Sequence, residues 1–236
     1  MFRVSVQFKC FLPMALTSNP PEESVKISFG VYKPTDGHDI DDAVAHLRSL
    51  ISLAERAADL KAIILKSVNG SWVAVFCVSS VSQTRTVDDE VIRVVDWGSF
   101  QKITEEQKAN FNKGKLSVGD IVSVRRIYTD LNNQELIAYS CLAVLKSFFA
   151  QIEGLNSSAF YKSKDGKLIM GLGIWDSAEF ASALLDSPNG SPGEAYWKDL
   201  GATNLKFEIC QVVYISKENS PLPQTLDSTD QQIRTV

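Results

Sequence analysis

The sequence predicts an α+β fold, in which two β-α-β-β-α-β units in tandem pack their antiparallel sheets face to face. Three observations lead there. Strand-like and helix-like segments recur in one order in both halves of the chain. Two hairpin signals, Asn69-Gly70 and Asp165-Gly166, sit at a fixed offset: Gly166 minus Gly70 is 96, and Tyr128 minus Tyr32 is also 96. The strands also carry apolar residues in both alternating phases, among them Phe29, Val31, Trp72, Ala74, Phe76 and Ile169, so each sheet has two faces to cover.

In the first half, residues 26–33 alternate apolar and polar and read as a strand. Ile40, Val44, Leu47, Ile51 and Ala54 then recur at helical spacing behind Asp39, a capping residue. Residues 62–68 and 72–79 flank Asn69-Gly70 as a hairpin. Residues 88–97 are expected to form a second helix with Val87, Val91, Val94 and Val95 on one side. The second half repeats the order. A strand spans 121–128, and Asn132 or Asn133 caps a helix whose Ile137, Cys141, Val144, Phe148 and Ile152 share a face. Strands 158–163 and 168–175 flank Asp165-Gly166, a helix covers 178–185, and 205–215 is the closing strand. This is the ferredoxin-like plan. The first unit has no obvious closing strand near residue 109, where the sequence is polar and turn-rich. Either it lacks that strand, residues 2–12 supply it, or it is displaced.

The expected organisation is an N-terminal extension and linker (1–24), a divergent first repeat (25–118), a second repeat (119–216) and a disordered tail (217–236). The linker carries Asn19-Pro20-Pro21, and the tail has too few apolar residues to offset the cost of ordering. Net charge is −4, which argues against a nucleic-acid surface, and no apolar run approaches the roughly 18 residues of a membrane helix. Cys10, Cys77, Cys141 and Cys210 lack any CxxC spacing and read as reduced core thiols. The expected location is the cytoplasm, with organelle targeting by the first residues as the alternative.

The run GLGIWDSAEF at 171–180, then Tyr196-Trp197 and KFEICQVVY at 206–214, resembles the dimeric α/β-barrel superfamily, with the antibiotic-biosynthesis-monooxygenase-like domains nearest. The resemblance implies a barrel that relatives usually assemble from two chains and that a tandem repeat closes within one, as a monomer with an internal pseudo-dimer or as a homodimer. It also implies a ligand cavity on the sheet face, worked in the relatives by Asn, Trp, His or Arg.

Against that expectation, His38 and His46 both lie in the first half and read as solvated or structurally satisfied. No His, Cys and carboxylate cluster has metal spacing, no nucleophile elbow is present, and Gly171-Leu172-Gly173 lies in a strand without the helix of a phosphate loop. The candidate ligand contacts are Trp72, Arg125, Trp175, Tyr196 and Trp197, with Trp175 expected first of all to be a packing residue. Arg125 and Arg126 are adjacent on a strand, so one faces inward and must find an anionic partner or a polar cavity. The function expected is binding of a small hydrophobic or aromatic molecule between the sheets, with no cofactor or metal. The alternative is a cofactor-independent monooxygenase or isomerase.

Overall fold

The computed structural model describes residues 6–7, 26–57, 60–79, 89–108, 115–186 and 193–216. The expected linker, the tail after residue 217 and the loop at 187–192 lie outside them. Among the described residues, eight strands close an antiparallel barrel. The first half supplies β2 (Lys26–Pro34), β3 (Leu60–Ser67), β4 (Val73–Ser79) and β5 (Ile92–Gln107), with α1 (Ile40–Ala57) between β2 and β3. The second half supplies β7 (Ile121–Tyr128), α2 (Gln134–Phe148), β8 (Leu155–Ser163), β9 (Leu168–Trp175), α3 (Ala178–Asp186), α4 (Glu194–Asp199) and β10 (Asn204–Ile215). Outside the barrel, β1 (Val6–Gln7) pairs with β6 (Lys115–Leu116). No described helix is long and apolar enough to cross a membrane.

The strand order β3-β4-β2-β5 in one half matches β8-β9-β7-β10 in the other, and the joins β5–β8 and β10–β3 are equivalent. The 96-residue offset holds through both hairpins: Lys66 faces Val73 as Lys162 faces Ile169. One serine closes each turn. Ser67 Oγ accepts the N–H groups of Ser71 and Trp72, and Ser163 Oγ accepts those of Lys167 and Leu168. Gly70 and Gly166 take positive φ there, 69° and 78°. Both connections exceed the two residues expected of an Asn-Gly or Asp-Gly turn. The tyrosine landmark is a coincidence of sequence: Val31 faces Ala74 as Arg126 faces Met170, so the first strands run at an offset of 95, not 96. With a side-chain period of two, that single residue puts Tyr32 under α1 and turns Tyr128 into the barrel.

Residues 92–97 of the expected second helix instead begin β5, the displaced closing strand of the first unit. Asp89 sets up this change. Its Oδ1 accepts the N–H groups of Val91 and Ile92, and its Oδ2 bonds His46 Nε2 at 2.6 Å. The β-branched run that follows, Ile92, Val94 and Val95, then pairs along β2. Burial alone raises the Asp89 carboxyl, but these hydrogen bonds outweigh it and hold the pKa below the ordinary value. Its stabilisation is therefore present above the unfolded carboxylate value of about 3.9 and fades as pH falls through the folded one. Asp89→Ala is expected to cost about 1 kcal/mol at pH 7, allowing for solvent screening. In urea melts the gap to wild type should narrow as pH falls below about 3.9; a gap that does not change with pH contradicts the assignment.

Asp39 caps α1 as expected, its Oδ1 accepting the N–H groups of Asp41 and Asp42 while Asp42 accepts that of Asp39. At α2 neither Asn132 nor Asn133 caps through its side chain. The Asp130 carboxylate accepts both their N–H groups at 3.0 Å. The buried face of α2 runs through Ile137, Ala138, Cys141 and Leu145, and a 3-10 turn at Phe149–Gln151 places Phe149 inside in place of the expected Phe148, which is 42% exposed.

Three apolar clusters result. One fills the barrel, where Phe29 meets Phe100 and Phe76 meets Tyr161 edge to face. A second lies between α1 and the first half-sheet, and a third lies beneath α2, α3 and α4. Arg126, 2% exposed, carries charge into the barrel. Its guanidinium pairs with the Glu208 carboxylate, lies 3.6 Å from Asp96, donates to Tyr128 Oη and sits over the Trp72 ring at 5.7 Å. Tyr128 Oη donates in turn to Asp96 at 2.7 Å, so the cluster joins β5 of the first half to β7 and β10 of the second.

Candidate functional site

Strand β7 alternates Val122, Val124 and Arg126 into the barrel with Ser123, Arg125 and Ile127 toward the helices. Arg125 lies between Gly171 on β9 and Phe207 on β10. Its guanidinium is 5.0 Å from the Trp197 ring and 5.0 Å from the Phe207 ring. Burial pushes its pKa down to about 10, against the opposing influence of Cys141 and Glu194, so it stays charged at neutral pH. Among the described residues it has no ion pair and no hydrogen bond. Glu194 is engaged at 3.1 Å by Lys198.

Above Arg125 is a cavity of about 520 Å³, partly open to solvent, between the second half-sheet and α2 and α3. Val144, Leu145, Ile152 and Leu184 form its apolar roof, with Phe160 and Phe207 on the sheet. Two glycines on its floor let neighbouring side chains lie close against the sheet. A Cβ at Gly171 would stand 2.8 Å from the Phe160 ring, and one at Gly173 would stand 2.7 Å from Ser123 Oγ. The first half carries Val75 and Cys77 at the matching places, as Ile64 faces Val75 where Phe160 faces Gly171. Both are buried against α1. At the position of Arg125 the first half has Gly30, which is covered by Trp97. At these places the first half carries buried side chains packed against α1.

Three of the five candidate residues meet here. Trp175 lines the cavity yet is buried, as a packing residue should be, and its Nε1 donates to Ser123 Oγ at 2.8 Å. Trp197 is fully buried on α4, edge-on to Phe160 and beside Arg125. Its Nε1 finds no acceptor among the described residues. Tyr196 does not join them: one residue earlier on α4, it is 53% exposed. Trp72 also lies elsewhere, buried inside the barrel on the opposite side of the sheet. The sequence reading missed Gly171, Gly173 and Ser123 as formers of the site. The signal was present, since glycines two apart in a strand strip the side chains from one face.

A second cavity, about 540 Å³, does lie between the sheets where the sequence reading placed the ligand, lined by Ile63, Phe76, Val122 and Tyr161. Its one carboxylate, Glu105, is tied to Lys102. Cys77, Cys141 and Cys210 are free and buried; burial pushes the first two thiols up to about 12 and raises the third as well, which makes them poor nucleophiles. His46 pairs with Asp89 and His38 lies 3.4 Å from Asp42, away from both cavities. No cluster of metal-ligating side chains occurs among the described residues.

Residues 98–209, just under half of the chain, match the model of a domain of unknown function, DUF7392. No curated protein matches the sequence. Among solved structures the chain is similar to an anthrone oxidase-like protein (13% identity, 87% of this chain and 98% of that one, TM-score 0.63). It is also similar to a putative monooxygenase from Fusobacterium nucleatum (8%, 84% and 96%, TM-score 0.51) and to a major regulator of staphylococcal pathogenesis (9%, 79% and 99%, TM-score 0.50). At such identities the likeness concerns the fold, and with the strand order above it shows that this chain shares their α/β fold, its eight-stranded barrel closed within a single polypeptide.

Proposed function

We propose that the chain binds a small hydrophobic or aromatic molecule in the cavity beneath α2 and α3 of its second half. The observation that carries this reading is the cavity itself, an apolar space under α2 and α3 that is walled by Val144, Leu145, Ile152, Leu184, Phe160 and Phe207 and partly open to solvent. A packed core gains from filling such a space, so one kept open at the cost of burial suits an occupant. Its apolar walls suit a hydrophobic or aromatic molecule. The barrel is already closed by one chain, so the proposed active form is a monomer.

The test uses N-phenyl-1-naphthylamine, a neutral probe that fluoresces on entering an apolar site. Wild type is expected to bind it, and Leu184→Trp, which fills the cavity from the helix side, to weaken binding at least tenfold. Ala159→Phe in the barrel cavity should leave binding unchanged. Equal binding by wild type and Leu184→Trp, with both proteins folded by circular dichroism, removes the reading.

The second reading, a cofactor-independent monooxygenase, is favoured by the likeness to an anthrone oxidase-like protein. It requires oxygen uptake in the presence of anthrone above the rate in buffer; uptake no greater than in buffer disposes of it.

A further inference from the structure

We propose that Arg125 makes this cavity selective for molecules that carry a carboxylate on their hydrophobic or aromatic body. The inference rests on the reading of the cavity as a ligand site, and it goes further by naming the polar group of the ligand.

The two neighbouring arginines of β7 show the contrast. Arg126 points into the barrel and is met by Glu208 and Asp96. Arg125 points under the helices, where the cavity lining offers no carboxylate at all. The nearest acidic influence, Glu194, is held by Lys198 at 3.1 Å. A guanidinium only partly open to water, in such apolar surroundings, gains from a compensating anion. The flanking Trp197 and Phe207 rings supply part of that compensation through their faces and hold the group in place. They leave its hydrogen-bond donors unused, and those donors form a planar fork that matches a carboxylate with two parallel bonds. Beside it, Trp197 Nε1 is a buried donor with no partner among the described residues. A guanidinium that lines an apolar cavity with no partner among the described residues can take its acceptor from a ligand, and a negatively charged oxygen pair matches both its fork and its charge.

The experiment compares 2-naphthoate with the neutral 2-naphthamide by isothermal titration calorimetry on the full chain. Wild type is expected to bind the acid at least tenfold more tightly than the amide. Arg125→Met should erase that preference while retaining amide binding, and Arg125→Lys should keep part of it as a point charge without the fork. Thermal melts confirm that each variant is folded. If acid and amide bind equally to wild type, or if Arg125→Met keeps the preference, Arg125 is a packing residue held between two rings and the carboxylate inference is overturned. The cavity reading survives that outcome as long as Leu184→Trp still blocks the amide. If neither naphthyl ligand binds, the cavity reading falls and the inference falls with it.

Discussion

Replacing Arg126 by Met is expected to destabilise the protein by about 3–5 kcal/mol. Removing one partner of a buried charge cluster leaves the others uncompensated, and here the carboxylates of Glu208 and Asp96 would face each other inside the barrel with Tyr128 between them. Met fills much of the volume, so the loss is electrostatic more than steric. The stranded carboxylates make one consequence measurable by urea denaturation. Neutralising them in the triple variant Arg126→Met, Glu208→Gln, Asp96→Asn should recover most of the loss. A single variant within 1 kcal/mol of wild type would show that the cluster does not hold the two halves together.

Trp175→Ala should cost a similar 3–5 kcal/mol, through lost burial and the void left at the end of β9. The side chain also lines the cavity, so ligand binding should fall with it. Phe at this position separates the contributions. It preserves most of the apolar contact but removes the indole N–H that Ser123 Oγ accepts, in a spot where Ser123 is itself buried. About 1 kcal/mol is expected for Trp175→Phe. A double-mutant cycle with Ser123→Ala should return a coupling of similar size. No coupling would mean that the hydrogen bond contributes nothing beyond geometry.

Much of the architecture was readable from local patterns. The hairpins at residues 67–72 and 163–168, the helix behind Asp39 and the strands of the second half follow from turn chemistry and alternation, which act over a few residues. The error at residues 88–97 shows the limit. Val91, Val94 and Val95 satisfy a helical stripe as well as a strand, and what decides is an Asp89 turn together with pairing to β2, a partner far away in sequence. The Tyr32 and Tyr128 coincidence fails for the same reason: a one-residue change of register is invisible in composition but reverses which way every side chain points. The candidate site was half legible. Arg125, Trp175 and Trp197 were found by type, but Trp72 and Tyr196 were grouped with them because the face of a sheet or helix that a residue occupies depends on packing. Gly171 and Gly173 were seen as part of a strand. What they remove, and from which side, becomes visible only against Val75 and Cys77 across the pseudo-twofold axis.

That comparison has a consequence for how such a barrel changes over time. Two identical subunits must carry every substitution twice: a Val that seals one pocket seals its twin, and an arginine that tunes one tunes both. Stability and binding then compete at the same codon. With the halves joined in one polypeptide, positions 75 and 171 mutate independently, as do Gly30 and Arg125. One half has room to become pure scaffold, its pocket closed by Trp97, Val75 and Cys77, while the other keeps an opening that its neighbour's rigidity helps it to tolerate.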